Sequence, residues 1–261
     1  MRLRVDGGEL EYALSGDGPA LLLLHAFPLG LFMWEAQAEA LAASHRVIRF
    51  DARGFGGSDL GQGPLTMERI ADDGAALLDH LGVAKAVVGG CSMGGYAALA
   101  FVRRHPQRLA GLVLQDTRAG ADTEEGKAGR AALAAKVLAE GSAAAASAFL
   151  PKLLGETTQR ERAALVAGLR ERILASSPQA IADALHGLAA RADSRPTLAE
   201  VRVPTLVLVG AEDVLTPPVE SEVMAAAIAG ARLEIVPRAG HLANLERPDA
   251  VNAALRAFLL S

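Results

Sequence analysis

Ser92 stands in the run Val87-Val88-Gly89-Gly90-Cys91-Ser92-Met93-Gly94-Gly95-Tyr96, a Gly-x-Ser-x-Gly pattern with an apolar stretch before it and a helix-forming stretch after it. A sharp strand-to-helix turn at this point would lift the hydroxyl above a sheet, and flanking glycines keep other side chains from colliding there. The N-terminus of the following helix would favour negative charge developing beside that hydroxyl. A serine alcohol is a weak nucleophile until a base takes its proton, and the base needs an acid to orient it. Two later segments supply both. Gly240-His241 follows the apolar stretch 233–236 through Pro237-Arg238-Ala239, and Gly210-Ala211-Glu212-Asp213 follows a strand ending at Val209. The spacing points to covalent catalysis by Ser92, with His241 as base and Asp213 as the acid behind it.

Other residues compete for these roles. Asp116 also follows a strand, over 109–115, and is the alternative acid; motif context favours Asp213. Glu212 adjoins Asp213 but would point elsewhere. His45, His80 and His105 fall at helix ends, where capping or surface roles are expected, His186 reads as surface, and His25 at a strand end reads as structural. Cys91 is the only cysteine, so no disulfide within the chain and no multi-cysteine metal site can form. Beside Ser92 it reads as an inert buried residue rather than a reactive thiol.

No metal-ligand spacing such as His-Glu-x-x-His occurs, so no metal and no cofactor are expected. Residues 51–58 are glycine-rich but lack the Lys-Ser/Thr ending of a phosphate loop, and Asp51 and Arg53 are expected to pin a turn. Trp34 could line a pocket or pack in the core. Phe32, Met33, Phe149, Leu150 and Leu154 could form an apolar pocket or simply fill helix contacts.

The elements that must position these residues alternate. Residues 3–5 and 9–14 flank the turn signal Asp6-Gly7-Gly8 and predict an antiparallel hairpin. Apolar strands follow at 20–25, 46–50, 85–89 and 109–115, separated by helical spacing at 34–43, 66–81 and 93–105. That rhythm implies right-handed crossovers in a mostly parallel sheet. It stops at about Asp122, and only helical signals continue to Asp193 before strands return at 203–209 and 233–236, with a closing helix within 242–260. The expected organisation is a core of 1–121 and 194–261 carrying an all-helical cap of 122–193, seated over the carboxyl ends of the strands where ligands of such sheets bind.

The chain has 261 residues, 51% hydrophobic and 21% charged, which suits one α/β domain with an insertion and excludes disorder. With 26 basic against 30 acidic residues, a net charge of −4 and no like-charge run, neither a nucleic-acid nor an anionic-membrane surface is expected. The first residues carry no signal-peptide pattern, and the apolar run 20–24 is too short to span a bilayer, so a cytoplasmic protein is expected.

The segments Leu24-His25-Ala26-Phe27-Pro28, Asp51-Ala52-Arg53-Gly54-Phe55-Gly56-Gly57-Ser58, the Ser92 turn, Gly210-Ala211-Glu212-Asp213 and Ala239-Gly240-His241 resemble those of the α/β-hydrolase superfamily. The resemblance is to its capped esterase, enol-lactonase and cofactor-free perhydrolase branch. The chain order Ser, Asp, His is the order of that superfamily. The resemblance implies an α/β-hydrolase fold: a mostly parallel eight-stranded sheet flanked by helices, with an all-helical insertion. It implies an oxyanion hole made by the backbone N–H groups of Met93 and Phe27. It further implies a serine hydrolase of small carboxylic esters working through an acyl-enzyme. A lactonase, a perhydrolase (suggested by Pro28 after Phe27) and a ligand-binding receptor with a vestigial triad are the alternatives. Relatives usually carry His-Gly where this chain has His25-Ala26.

Overall fold

The computed structural model describes residues 1–260. Eight strands form one sheet: β1 (Arg2–Val5), β2 (Gly8–Ser15), β3 (Ala20–Leu24), β4 (Arg46–Phe50), β5 (Ala86–Cys91), β6 (Leu109–Gln115), β7 (Thr205–Gly210) and β8 (Arg232–Val236). Their order across the sheet is β1-β2-β4-β3-β5-β6-β7-β8. β2 runs antiparallel to both of its neighbours, and every pairing from β4 to β8 is parallel. The hairpin closes between Val5 and Gly8, as the Asp6-Gly7-Gly8 signal predicts.

Every residue of β3 and of β7 is buried, the pattern of a strand covered on both faces. At the far edge β8 leaves Arg232, Glu234 and Ile235 exposed.

The helices between these strands are α1 (Glu35–Leu41), α2 (Met67–His80) and α3 (Met93–Arg104). Thr66 caps α2 by accepting a hydrogen bond from the Arg69 amide at 3.1 Å, and Glu68 adds negative charge to the first turn. Helix α3 is buried from Met93 through Val102, which places it at the centre of the core directly behind Ser92.

Between β6 and β7 the chain is helical, with α4 (Glu124–Glu140), α5 (Ala143–Leu153), α6 (Glu156–Glu161), α7 (Ala163–Ala175), α8 (Pro178–Ala190) and the short α9 (Arg195–Leu198). Thr123 caps α4 through the Gly126 amide at 3.1 Å, and Ser177 caps α8, whose first residue is Pro178. Helices α4 and α8 pack together along their length. α10 (Pro218–Ala227) joins β7 to β8, and α11 (Ala243–Glu246) and α12 (Pro248–Leu259) end the chain. Among the described residues no helix is long and apolar enough to cross a membrane.

The register brings the functional segments to one edge. Gly90 pairs with Leu24 on one side and Leu114 on the other, Gln115 pairs with Leu208, and Gly210 pairs with Val236. Because these strands are parallel, His25, Ser92, Asp116, Asp213 and the loop bearing His241 all emerge at the carboxyl end of the sheet.

Candidate active site

Ser92 is the junction residue between β5 and α3, with φ 54° and ψ −112°. A side chain costs energy in that region of backbone space, and surrounding contacts hold it there. The Ser92 amide donates to Gln115 O at 3.0 Å, and Ser92 O accepts from the Tyr96 amide at 3.0 Å and from Thr117 Oγ1 at 2.9 Å. The glycines are there for space. A Cβ on Gly90 would meet Gly94 O at 2.0 Å, and one on Gly94 would meet Leu24 O at 2.1 Å. The turn can be this tight only because both positions lack side chains. Cys91 is fully buried and its thiol donates to His241 O at 3.7 Å. Burial, with Asp116 and Asp213 nearby, pushes that thiol well above its ordinary range.

Asp213 and His241 are both buried, and the Nδ1–H of His241 donates to Asp213 Oδ2 at 2.8 Å. With the proton held on Nδ1, the lone pair is on Nε2, the atom a general base uses. The carboxylate is itself held. Oδ1 accepts from the amides of Leu215 and Thr216 at 2.8 and 3.0 Å, and Oδ2 accepts from the Thr216 hydroxyl at 2.7 Å. Burial alone would raise this carboxyl, but the imidazole and the Thr216 donors outweigh it and hold Asp213 below the usual carboxylate range.

Asp116 does something different. Its oxygens accept from the Gly210 amide at 2.8 Å, Gln115 Nε2 at 3.0 Å and the Ala243 amide at 3.2 Å. It thereby ties the end of β7 and the start of α11 to β6. Complete burial, and next the negative charge of Asp213, push its carboxyl well above the usual range. Glu212 turns away from Asp213 to bind the amide and hydroxyl of Thr157.

His25 is buried, accepting from the Ala52 amide through Nε2 at 2.9 Å and bonding Ala26 O through Nδ1 at 3.0 Å. It braces the loop containing Phe27 against the end of β4, a structural task. Asp51 braces the same loop from the other side, accepting from the Leu31 amide at 2.6 Å and the Gly57 amide at 3.2 Å. Arg53 forms a two-pronged pair with Asp73 at 2.7 Å on each prong, buried. Ala26 is absent from the residues with positive φ, so alanine in place of the usual glycine carries no backbone strain here. Met93 opens α3, so its N–H is one of the amides a helix leaves without an internal partner. Of the remaining histidines, His45 follows α1, His80 ends α2 beside Tyr12, His105 pairs with Asp72 at 2.8 Å, and His186 is exposed.

Ser92 and His241 share the wall of a cavity of about 150 Å³ with Phe27, Tyr96, Arg118, Arg130, Phe149, Leu153, Leu188, Leu215 and Thr216. A wider cavity of about 750 Å³ is lined by residues 28–32 together with Glu11, Asp51 and Arg172, and by none of the three chemical residues. Of the apolar residues proposed from sequence, Phe149 lines the Ser92 cavity, edge-on to Phe27 at 5.1 Å between centroids. The others do not. Trp34 and Met33 are in the core, where Met33 Sδ accepts from the Ala26 amide, and Phe32 lines the wider cavity under Arg172. Leu150 lines a separate small pocket with Pro151 and Arg170, and Leu154 is buried with its backbone against Gly240. Helical spacing reports that a face is buried but not which neighbour it is buried against.

Sequence reasoning did not single out Thr216, Tyr96, Arg118, Arg130 or Glu246. Glu246 Oε1 accepts from the amides of Gly240 and Leu242 at 2.8 and 3.3 Å, on both sides of His241, and its Oε2 accepts from the Gly155 amide at 2.9 Å. Thr216 falls three residues after Asp213 and Tyr96 four after Ser92, both turn spacings that could have found them. Arg118 lies two residues past Asp116 at a strand end. Nothing local marks Arg130 or Glu246.

The family model described as alpha/beta hydrolase fold matches residues 19–248. A thermophilic esterase from Thermogutta terrifontis, solved with malate bound, superposes with a TM-score of 0.97 at 42% identity, covering 100% of this chain and 98% of that one. The enol-lactonase from Burkholderia xenovorans LB400 superposes with a TM-score of 0.93 at 32% identity, with all of both chains covered. In sequence, 3-oxoadipate enol-lactonase 2 of Acinetobacter baylyi is 30% identical over 254 residues, 96% of this chain and 92% of that protein.

Proposed function

This chain belongs to the α/β-hydrolase family, and we propose that it hydrolyses small carboxylic esters through an acyl-enzyme intermediate on Ser92. The observation that carries this reading is the 2.8 Å bond from His241 Nδ1 to Asp213, with His241 lining the same small cavity as Ser92. In this reading Ser92 Oγ attacks the acyl carbon while His241 Nε2 takes the hydroxyl proton, forming a tetrahedral oxyanion. The amides of Phe27 and Met93 stabilise that oxyanion. Collapse breaks the bond to the alcohol oxygen, which receives the proton from His241. A water then attacks the acyl-Ser92 ester, gives its proton to His241, and the acid leaves as Ser92 is reprotonated. Asp213 fixes the imidazole and offsets its transient positive charge. The cap of residues 122–193 covers the site and shapes acyl preference through Phe149, Leu153 and Leu188.

A cavity of about 150 Å³ is small against the ~300–1,000 Å³ common for drug-sized ligands, which favours short acyl groups. The similarity to two enol-lactonases supports lactones as a second substrate class, in which the leaving alkoxide stays tethered to the acyl group. Hydrolysis of p-nitrophenyl esters from acetyl to decanoyl, beside a small lactone series, tests both. Turnover peaking at short chains and lost in Ser92→Ala is expected. Turnover that survives Ser92→Ala in a folded protein would remove Ser92 from the mechanism.

A further inference from the structure

The Ser92 cavity is apolar on most sides, yet two guanidinium groups, Arg118 and Arg130, stand in its wall. Both belong to a cluster of three arginines around one carboxylate. Arg118 Nη2 donates to Asp122 Oδ1 at 2.6 Å, Arg130 Nε to Oδ2 at 2.5 Å, and Arg191 Nη2 to Oδ1 at 2.8 Å. Asp122 is 3% exposed at the side chain, and no other carboxylate among the described residues lies within ion-pair distance of the three. The cluster therefore carries two positive charges more than Asp122 neutralises.

Those charges are unevenly used. Arg191 is buried and also donates to Leu188 O and Gly120 O at 2.9 and 3.0 Å and lies 4.4 Å over the Tyr96 ring, with only its Nε left without a partner among the described residues. Arg118 and Arg130 each give Asp122 a single hydrogen bond, and the buried Arg118 Nε has no partner among the described residues. They sit at 30% and 20% side-chain exposure and line the partly open cavity that Ser92 also lines. Two partly buried guanidinium groups that keep donors free beyond their single bond to Asp122 favour an anion in the cavity they line, and a planar carboxylate matches their geometry.

We propose that Arg118 and Arg130 receive a carboxylate carried by the substrate, so that the ester or lactone turned over at Ser92 is itself a small organic acid. This rests on the serine-hydrolase reading for the position of the scissile bond. The anion site itself does not depend on it. With about 150 Å³ available, the acid group and the scissile carbonyl can be separated by only a few carbons.

Two measurements test this. In the first, methyl hydrogen succinate and methyl hydrogen glutarate are compared in a pH-stat with neutral isosteres in which an isopropyl group replaces the carboxylate. We expect kcat/KM to favour one of the half-esters by about ten- to a hundredfold, the range of a charge-assisted pair. That ratio should fall toward one or below in Arg118→Met and Arg130→Met, and be partly kept in Arg130→Lys. Preference for the neutral isosteres in the folded wild type, or a ratio unmoved by both methionine variants, would overturn the proposal.

In the second, calorimetric titration of glutarate into Ser92→Ala reads binding without turnover. Binding weakened at least tenfold by adding Arg130→Met supports the site, and no binding to Ser92→Ala overturns it. If glutarate binds and neither ester is hydrolysed by wild type, the anion site stands and the esterase reading falls.

Discussion

Glu246 and Gly155 are joined by a 2.9 Å hydrogen bond that fastens the helical segment to the loop carrying His241. The other oxygen of the same carboxylate holds the amides on both sides of that histidine, at Gly240 and Leu242. Contact is so close that a Cβ on Gly240 would meet the Gly155 nitrogen at 2.1 Å. Thr157 on Glu212, and Arg162 on the carbonyls of Leu245 and Glu246, extend the seam. The stretch 154–162 is thus part of the frame around His241.

Glu246→Gln keeps the size but turns one acceptor into a donor facing an amide N–H. We expect a stability loss of about 1–3 kcal/mol and a fall in kcat of roughly ten- to a hundredfold from misplacement of His241. Glu246 acts as a positioning residue here, so the loss should appear in kcat more than in KM. Chemical denaturation and steady-state kinetics on one short ester check both.

Asp213→Asn and Asp116→Asn separate the two acids. The first leaves the imidazole without its anion and with an ambiguous tautomer, so kcat should drop by about 10⁴-fold, as expected for an orienting acid. The second disturbs the ties to the Gly210 and Ala243 amides and to Gln115 Nε2. It should cost about 1–3 kcal/mol of stability and less than tenfold in kcat. A larger loss in the Asp116 variant than in the Asp213 variant would exchange their roles.

The Asp122 cluster sets an acid limit on stability. Burial works against the ionised carboxylate, but the hydrogen bonds and charges of Arg191 and Arg130 prevail and hold Asp122 far below its usual range. A depressed folded pKa contributes stability that is complete above the unfolded value of about 3.9. That contribution drains away as the pH falls through the folded value. Asp122→Asn leaves three arginines without their anion and should cost about 3–5 kcal/mol near neutrality. The gap between variant and wild type should close progressively below about pH 4, measured by urea unfolding at each pH.

Cys91 offers a simple probe of the closed core. Fully buried, with its thiol pushed up in pKa, it should react with a disulfide reagent only as fast as the protein opens. Labelling at native pH should be at least a hundredfold slower than in denaturant, where a free thiol near its ordinary pKa of about 8.5 reacts directly.

The alternation of strands and helices, the hairpin and the strand ends that carry Ser92, Asp213 and His241 could be read from the chain because each has a local signal, whereas the order of strands across the sheet has none. Apolar runs mark buried strands, and the turn glycines are demanded by contacts only a few residues away, such as Gly90 against Gly94. The cavity wall could not be read this way. Arg130 in α4 and Asp122 just before it look like ordinary surface charges, and their meaning comes from Arg191, 69 residues beyond Asp122. Glu246 likewise reads as a solvent-facing helix residue until Gly155 arrives from 91 positions away. Met33 and Phe149 have similar apolar character, but only the fold sends one to the core and the other to the cavity.

Ser92 holds its backbone where glycine alone is comfortable, at a cost of order 1–3 kcal/mol. On the mechanism proposed for Ser92, a screen that rewarded heat resistance alone would therefore drift toward glycine at this position and return a sturdier, inert protein. Any directed-evolution campaign on this scaffold has to score turnover alongside melting temperature, because at residue 92 the two pull in opposite directions.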